Sequence, residues 1–522
     1  MTIDGSQEVT TTVADTEASS DSGSTGPARA NPPKAEDTRE KSDAKRTFFV
    51  LLGVGLFFLV YFAPLPGPAI DPQGQAYPMS HEAKAALGLF FLAATWWVTE
   101  VVPIGITSIA IGVMQGLFLI RPAEDAFSNF MVPSVWFIFG SLIIGMVFTK
   151  TGLTRRLAYK MLSLVGERTS MIYLGCFTMT SALTLIMAHT AVAATIYPLL
   201  LAVYALYTDE TEPTRFGKGL FMGLAFVAGA GSIITLLGAA RGAVAIGFFA
   251  DIQGRAIGFF ELTYYMAPVG ALMTILLWGF FMVYYPPEKK TIPGLRQRVN
   301  RLYQGLGPIT RNEILALVFV LGAIAVLCLR TFFPVLQPID KSAIILVPTL
   351  LFFVMRILTI DDLESTSWNI ILLFGGAMSI GLCLRDTGAA SWLAIKWLTL
   401  FQNAHWLVFV LGMAGFVMVM TNVIMNVAAI AITMPVALVM APYLGVAPEV
   451  ILFASLVTAG MPFLFLVGAA PNAIAYASKQ FTTKEFFTAG VPASVLLMVV
   501  LAVFVWVVWP MMGMPVLLEA TP

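Results

Sequence analysis

A chain of 522 residues with 58% hydrophobic and only 11% charged residues is excluded from the ordinary water-soluble class, in which about a quarter of residues are charged. Its 30 basic and 30 acidic residues cancel, so the basic excess that would point to nucleic acid is missing. Cys176, Cys328 and Cys383 each lie inside an apolar run; their spacing gives neither a disulfide framework nor a metal site, and they read as packing residues.

Residues 1–46 are rich in Ser, Thr, Asp, Glu and Ala and lack the apolar stretch of a signal peptide. Such a segment cannot bury enough surface to fold, which predicts a disordered cytoplasmic tail. Residues 47–82 predict a first transmembrane helix and an external loop. A spanning helix takes about 20 mostly apolar residues. Runs that meet or approach this begin near residues 47, 83, 103, 133, 171, 216, 264, 312, 341, 367, 404, 449 and 486.

Several of these runs are not simple helices. The stretch 171–207 is about twice a membrane span and carries His189 and Thr190 near its middle. The stretch 404–442 is similar, with Thr421, Asn422 and Asn426. Both predict re-entrant hairpins, since non-helical backbone at that depth survives only where protein or a watery cavity satisfies it. Two further runs predict broken helices. In 216–249 the break falls at Gly238-Ala239-Ala240-Arg241-Gly242, and in 449–481 at Gly468-Ala469-Ala470-Pro471-Asn472. Glycine weakens the helix at both places, and Pro471 adds to this at the second.

Lys and Arg concentrate in 150–168, in 286–311, and at Lys479 and Lys484, whereas 63–82 and 511–522 contain none. Eleven spans with two non-crossing hairpins place every basic loop on one side, with a cytoplasmic N-terminus and an external C-terminus. A shift of 236 residues lays Gly140, Gly145, Thr151, Gly152, Leu157, Ala158 and Lys160 on Gly376, Gly381, Thr387, Gly388, Leu393, Ala394 and Lys396. The order of spans, hairpin, broken helix and span recurs in each half. This predicts a first inverted repeat at 83–285, a cytoplasmic linker at 286–311 and a second inverted repeat at 312–522. The predicted fold class is an all-α membrane protein with eleven transmembrane helices and two re-entrant hairpins.

In such folds anions meet half-helix N-termini and cations meet unwound carbonyls near the midplane. The polar residues at the hairpin tips and breaks are therefore the candidates. Arg241 would pair with a carboxylate or sulfate through parallel hydrogen bonds, or else cap a helix end or snorkel to the surface. His189 would carry a proton or contact the substrate, or else stay neutral and hydrogen-bonded. Asn426 and Asn472 donate and accept at once, which suits an anion beside a cation, or a helix cap. Glu100, at a span junction, reads as a structural turn residue.

At these residues the chain resembles the divalent anion/sodium symporter family, over about residues 83–510. Trp-Trp-Val-Thr-Glu-Val-Val-Pro at 96–103 is similar to that family's Trp-Trp-x-Thr-Glu-Ala-x-Pro signature. Lys150-Thr151-Gly152-Leu153 with Arg155-Arg156-Leu157-Ala158, and Gly468-Ala469-Ala470-Pro471-Asn472-Ala473, are also similar. The family has a Ser-Asn-Thr triplet at each hairpin tip, ten residues before a proline. Counting back from Pro198 and Pro435 gives Ala188-His189-Thr190 and Met425-Asn426-Val427, so only Thr190 and Asn426 survive. The first Thr-Pro-Pro-Asn break reads Ala239-Ala240-Arg241-Gly242, and Thr421-Asn422 stands where the family has Thr-Glu.

The resemblance implies a secondary transporter of a dicarboxylate, sulfate or sulfonate, and a homodimer in the lipid bilayer with an elevator-like movement. His189, Thr190, Arg241, Asn426 and Asn472 are the expected substrate residues. Thr421, Asn426 and Gly468 are expected to hold a coupling ion. One Na⁺ site is expected to be dismantled by His189 and Arg241, leaving one Na⁺, H⁺ through His189, or exchange. A cation/proton antiporter of related architecture is the alternative, although no intramembrane Asp pair is visible. An enzyme would need a nucleophile–base pair or a His-rich metal motif, which three scattered histidines do not provide.

Overall fold

The computed structural model of the protein describes residues 35–70, 75–208, 212–401 and 405–518. The packed helices belong to residues 47–522. The expected unfolded tail lies outside the described residues up to residue 34. From Ala35 the chain is already helical, in α1 (Ala35–Phe62). Residues 35–46 are mostly Ala, Glu, Arg, Lys and Asp, and four of these five favour the helix.

A two-residue ribbon, β1 (Ala69–Ile70) with β2 (Ala76–Tyr77), precedes a long helical series. The first set is α2 (His81–Thr99), α3 (Ile104–Leu117), α4 (Ala123–Ser128), α5 (Pro133–Thr151), α6 (Leu153–Val165), α7 (Thr169–Leu183), α8 (His189–Tyr207), α9 (Arg215–Ser232), α10 (Arg241–Gln253) and α11 (Phe259–Tyr284). A linker helix, α12 (Leu295–Gly305), comes next. The second set is α13 (Arg311–Leu329), α14 (Lys341–Val354), α15 (Ile360–Glu364), α16 (Trp368–Asp386), α17 (Ala389–Phe401), α18 (Trp406–Val423), α19 (Asn426–Tyr443), α20 (Pro448–Gly460), α21 (Ala470–Tyr476) and α22 (Thr483–Val503). After Val503 the helix runs through a π turn at Phe504–Val508 to Met511.

The two sets match in element length. Helices α2 and α13 have 19 residues each, α3 and α14 have 14, α5 and α16 have 19, and α6 and α17 have 13. Their packing is exchanged between the sets. Helix α3 packs on α16 while α14 packs on α5, and α10 packs on α19 while α21 packs on α8. Gly140 and Gly376, matched by the 236-residue shift, sit at these crossings. A Cβ on Gly140 would lie 2.9 Å from Ile345 Cγ2, and one on Gly376 would lie 2.4 Å from Ser108 Cβ. Small residues let helices approach this closely where lipid gives no hydrophobic push.

The helices divide into two packed groups. One holds α7–α11 and α18–α22, the other α2, α3, α5, α13, α14 and α16. Contacts of α10 with α5 and α16, and of α19 with α16, join them. Nine helices among the described residues are long and apolar enough to cross a membrane, and Ile104–Leu117, Lys341–Val354 and Pro448–Gly460 are shorter apolar helices.

Both expected breaks lie earlier than the sequence suggests. The first occupies 233–240, and Arg241 and Gly242 already belong to α10. The second occupies 461–469, and Pro471 and Asn472 belong to α21. The reason is that Pro in a first helical turn forfeits no intrahelical bond, so Pro471 starts a helix rather than breaking one.

One buried ion pair fastens the linker. Arg156 on α6 donates through Nε to Glu313 Oε1 at 2.8 Å and through Nη1 to the Gly307 carbonyl at 2.9 Å. Glu313 also closes the capping box of α13, where Oε2 accepts from the Thr310 N–H at 2.6 Å. Removing one partner of such a pair strands the other charge. Glu313→Ala is therefore expected to cost roughly 3 kcal/mol and to lower the melting temperature in detergent; an unchanged melting temperature would show the pair to be solvated.

Candidate functional site

Both hairpin tips open on one cavity of ≈ 540 Å³. Ala188, His189 and Thr190 line it from the first tip, and Met425, Asn426 and Val427 from the second. Ala239 and Ala240 join them from the first break, and α5 and α16 supply the facing walls.

Each tip is the start of a helix, with His189 first in α8 and Asn426 first in α19. The opening N–H groups of a helix have no intrahelical acceptor. Ordinary N-caps supply one through Ser, Thr, Asp or Asn. Here the N-caps are Ala188 and Met425, and neither makes a side-chain cap bond. The His189 N–H finds the Gly238 carbonyl at 2.9 Å. Those of Thr190, Asn426 and Val427 are left toward the cavity end of their helices. Two positive helix ends thus face one space.

The side chains add to this. Among the described residues the buried Asn426 amide has no hydrogen-bond partner, and neither has the Thr190 hydroxyl. His189 Nδ1 lies 3.2 Å from the Gly238 carbonyl oxygen. A carbonyl only accepts, so this contact places the ring proton on Nδ1 and leaves Nε2 as an acceptor.

Four expected substrate or ion residues lie elsewhere. Arg241 is 1% exposed and turns away from the cavity walls. Its Nη2 donates to Ser232 Oγ at 2.6 Å, and a Cβ on Gly460 would sit 2.9 Å from Nη2. Ser232 ends α9 and Gly460 ends α20, so the guanidinium sits where two helix C-termini meet. Carbonyl ends attract a cation, which explains why the side chain points inward rather than at an external anion. Its Nη1 has no partner among the described residues, and a space of ≈ 10 Å³ adjoins it.

Asn472 is also withdrawn. Its Nδ2 donates to the Pro462 carbonyl at 2.9 Å and the Phe465 carbonyl at 3.1 Å, which fixes the second break. Thr421 Oγ1 donates to the Ala459 carbonyl at 3.2 Å. Asn422 Oδ1 accepts from the Leu464 N–H at 2.7 Å. Gly468 completes the group, since a Cβ there would lie 2.8 Å from the Thr421 carbonyl oxygen. Thr421, Gly468 and Asn472 therefore gather at the second break, while His189, Thr190 and Asn426 gather at the cavity.

One cavity feature has no signal in the local sequence. Lys150, at the end of α5, is paired with Asp362 of α15, and both line the cavity. The Lys150 ammonium, with the Thr359 N–H and hydroxyl, holds the Asp362 carboxyl below its usual range. The carboxylate is therefore kept at neutral pH, and its contact with Lys150 loosens only as it protonates in acid. Lys150 stands in the Lys-Thr-Gly-Leu motif, but its partner is 212 residues away, beyond any local spacing.

Comparison with known proteins places the family described as "sodium:sulfate symporter transmembrane region" on residues 55–515. The sodium-dependent dicarboxylate transporter SdcS of Staphylococcus saprophyticus is 23% identical over 456 residues, covering 82% of this chain and 88% of its own. SdcS of Staphylococcus aureus is 23% identical over 449 residues, covering 81% and 86%. Two solved structures share the fold. MtrF of Neisseria gonorrhoeae, described among antimetabolite efflux pumps, aligns with a TM-score of 0.57 at 13% identity, over 92% of this chain and 97% of its own. The YdaH transporter of Alcanivorax borkumensis aligns with a TM-score of 0.52 at 15% identity, over 90% and 98%.

Proposed function

The chain belongs to the sodium:sulfate symporter family, and from that membership we propose that it moves a dicarboxylate or a sulfate- or sulfonate-like anion across the cytoplasmic membrane. It is a multi-pass membrane transporter, and its relatives are transporters, not enzymes. The observation that carries the anion reading is the pair of helix N-termini without side-chain caps on one cavity, with the unpartnered Asn426 amide at one of them.

In this reading eleven segments span: α1, α2, α3, α5, the broken pair α9–α10, α11, α13, α14, α16, the broken pair α20–α21, and α22. The pairs α7–α8 and α18–α19 are re-entrant hairpins. Helices α6 and α12 lie along the cytoplasmic surface; Arg155, Lys160, Arg296, Arg298 and Arg301 are exposed on them, which supports a cytoplasmic N-terminus by the positive-inside rule. The halves 83–285 and 312–522 then run in opposite senses. The group with the hairpins moves as an elevator against the other group within a homodimer, as the family resemblance implies.

For coupling, Arg241 supplies a fixed positive charge where unwound carbonyls and helix C-termini hold coupling cations in such folds. A second cation there is repelled. The second break, near Thr421 and Gly468, is left for one Na⁺, without the expected Asn426, which faces the cavity; H⁺ through His189 or anion exchange are the other routes. The cation/proton antiporter alternative is weaker because Asp362, the carboxylate of the described cavity lining, is neutralised by Lys150.

Proteoliposome counterflow of sulfate and succinate tests the function. Exchange of either is expected, with a Na⁺ dependence of order no higher than one. Steep dependence on several Na⁺ would remove the fixed-cation argument, and absence of any anion flux would remove the transport reading.

A further inference from the structure

We infer that a second cavity, where the end of α1, the start of α2 and the end of α3 meet, holds the head of an ethanolamine phospholipid, with its phosphodiester on Lys84 and its ammonium on Glu82. The inference concerns no part of the anion site, and it rests on α1, α2 and α3 being spans as proposed above.

This cavity of ≈ 580 Å³ is lined by Tyr61, Phe62 and the residues after α1, by the first turn of α2, and by Phe118 and Leu119 after α3. The apolar span of α1 ends at Phe62. In the proposed topology all three helix ends lie on the external side, so the cavity sits at the edge of the bilayer.

Lys84 is 6% exposed, and its ammonium donates to the Ala63 carbonyl at 2.5 Å, its partner among the described residues. Capping the end of α1 in this way uses one of three N–H donors and leaves two. A buried charge is costly without a countercharge. A phosphate oxygen in the cavity supplies one, through a charge-assisted hydrogen bond.

Glu82 is exposed on the same turn of α2 and lines the same cavity. Side chains two residues apart on a helix do not face each other, and Glu82 forms no ion pair with Lys or Arg among the described residues. Its bonds to Ser80 and to its own backbone leave lone pairs open. The wall therefore offers one cation and, apart from it, one anion. That pattern is complementary to a phosphodiester joined to an ammonium by two carbons. A phosphodiester without an amine would satisfy Lys84 and be repelled by Glu82. A quaternary ammonium has no N–H to give a carboxylate, and the rings available to cage it, Tyr61 and Phe118, pack on each other at 5.4 Å.

The rim favours a lipid over a soluble phosphodiester. Phe62 is 75% exposed and Leu119 is 83% exposed. An acyl chain lying across them gains from burial, and a soluble head leaves them bare.

The test uses the purified full-length chain, stripped of lipid in detergent, and native mass spectrometry. The probes are dioctanoyl phospholipids with ethanolamine, glycerol or choline heads, and glycerophosphoethanolamine, which has no acyl chains. The ethanolamine lipid is expected to bind roughly tenfold more tightly than the other two lipids, the worth of one charge-assisted hydrogen bond. Glycerophosphoethanolamine is expected to bind more weakly than that lipid by at least about tenfold. Glu82→Gln, at an exposed position, is expected to remove the preference for ethanolamine over glycerol, and Lys84→Met to weaken all three lipids. A glycerol or choline lipid bound as tightly as the ethanolamine lipid by the parent chain would overturn the inference. So would a preference that survives unchanged in Glu82→Gln. Equal affinity for glycerophosphoethanolamine and its lipid would assign the cavity to a soluble phosphodiester and overturn the lipid reading. The counterflow assay reads anion transport separately from all of these outcomes.

Discussion

Arg241→Ala is expected to lower anion uptake at least a hundredfold in Na⁺-free medium, while the protein still inserts and elutes as a single species. The guanidinium holds together two helix C-termini, those of α9 and α20, through Ser232 and the close approach at Gly460. The same chain segments come within contact at Gly229, where a Cβ would lie 2.7 Å from the Gly460 carbonyl oxygen. A cation at a favourably placed, partly buried helix C-terminus is worth up to about 2 kcal/mol. Two ends therefore put roughly 4 kcal/mol at stake, more than a hundredfold in the population of the assembled site. A small cation should fill the vacated position. Millimolar guanidinium is thus expected to restore part of the uptake in the variant and to do nothing in the parent protein, and the variant is expected to gain one order of Na⁺ dependence over the parent. Parent-like uptake by Arg241→Ala without Na⁺ would dismiss the residue as a built-in replacement for a coupling ion.

The second large effect separates side chain from backbone at Asn426. Asn426→Ala deletes the amide alone, and a hydrogen bond to a charged partner is worth about 1.5–3 kcal/mol. The apparent KM should rise by one to two powers of ten, roughly. Asn426→Pro deletes the amide and the backbone N–H together. Proline is well accommodated at the first helical position, and Met425 before it already has ψ 139°, which an X-Pro step accepts. Helix α19 should survive, and KM should rise beyond that of the alanine variant. Equal KM values for the two variants would mean that the N–H does not face the anion. A fall in kcat with unchanged KM would place Asn426 in the moving hinge instead of the binding site.

Much of the architecture was legible because its signals are long and periodic. The doubled apolar stretches at 171–207 and 404–442 became α7–α8 and α18–α19, each reversing near the expected polar tip. The 236-residue shift became two sets of helices with matching lengths. Break positions were less legible, because a proline or glycine near a break does not say which side of the helix boundary it occupies. Pro471 began α21, and Gly242 fell within α10. Side-chain direction was not legible at all. Arg241 and Asn472 stood at the right breaks, yet both point at oxygens of their own surroundings. A sequence gives the position of a donor along the chain, but which acceptors lie close to it depends on helices hundreds of residues distant. The Lys150–Asp362 pair was hidden for the same reason.

The exchanged packing of the halves also bears on how the chain is made. As the ribosome releases α5 and α8, the helices that will cover them, α14 and α21, are not yet translated. The early half must wait in the bilayer with two unpaired faces, a vulnerable interval in which insertases and proteases have access to it. A polypeptide ending near residue 285 is therefore expected to be short-lived in cells, and to persist when the missing remainder is co-expressed as a second polypeptide.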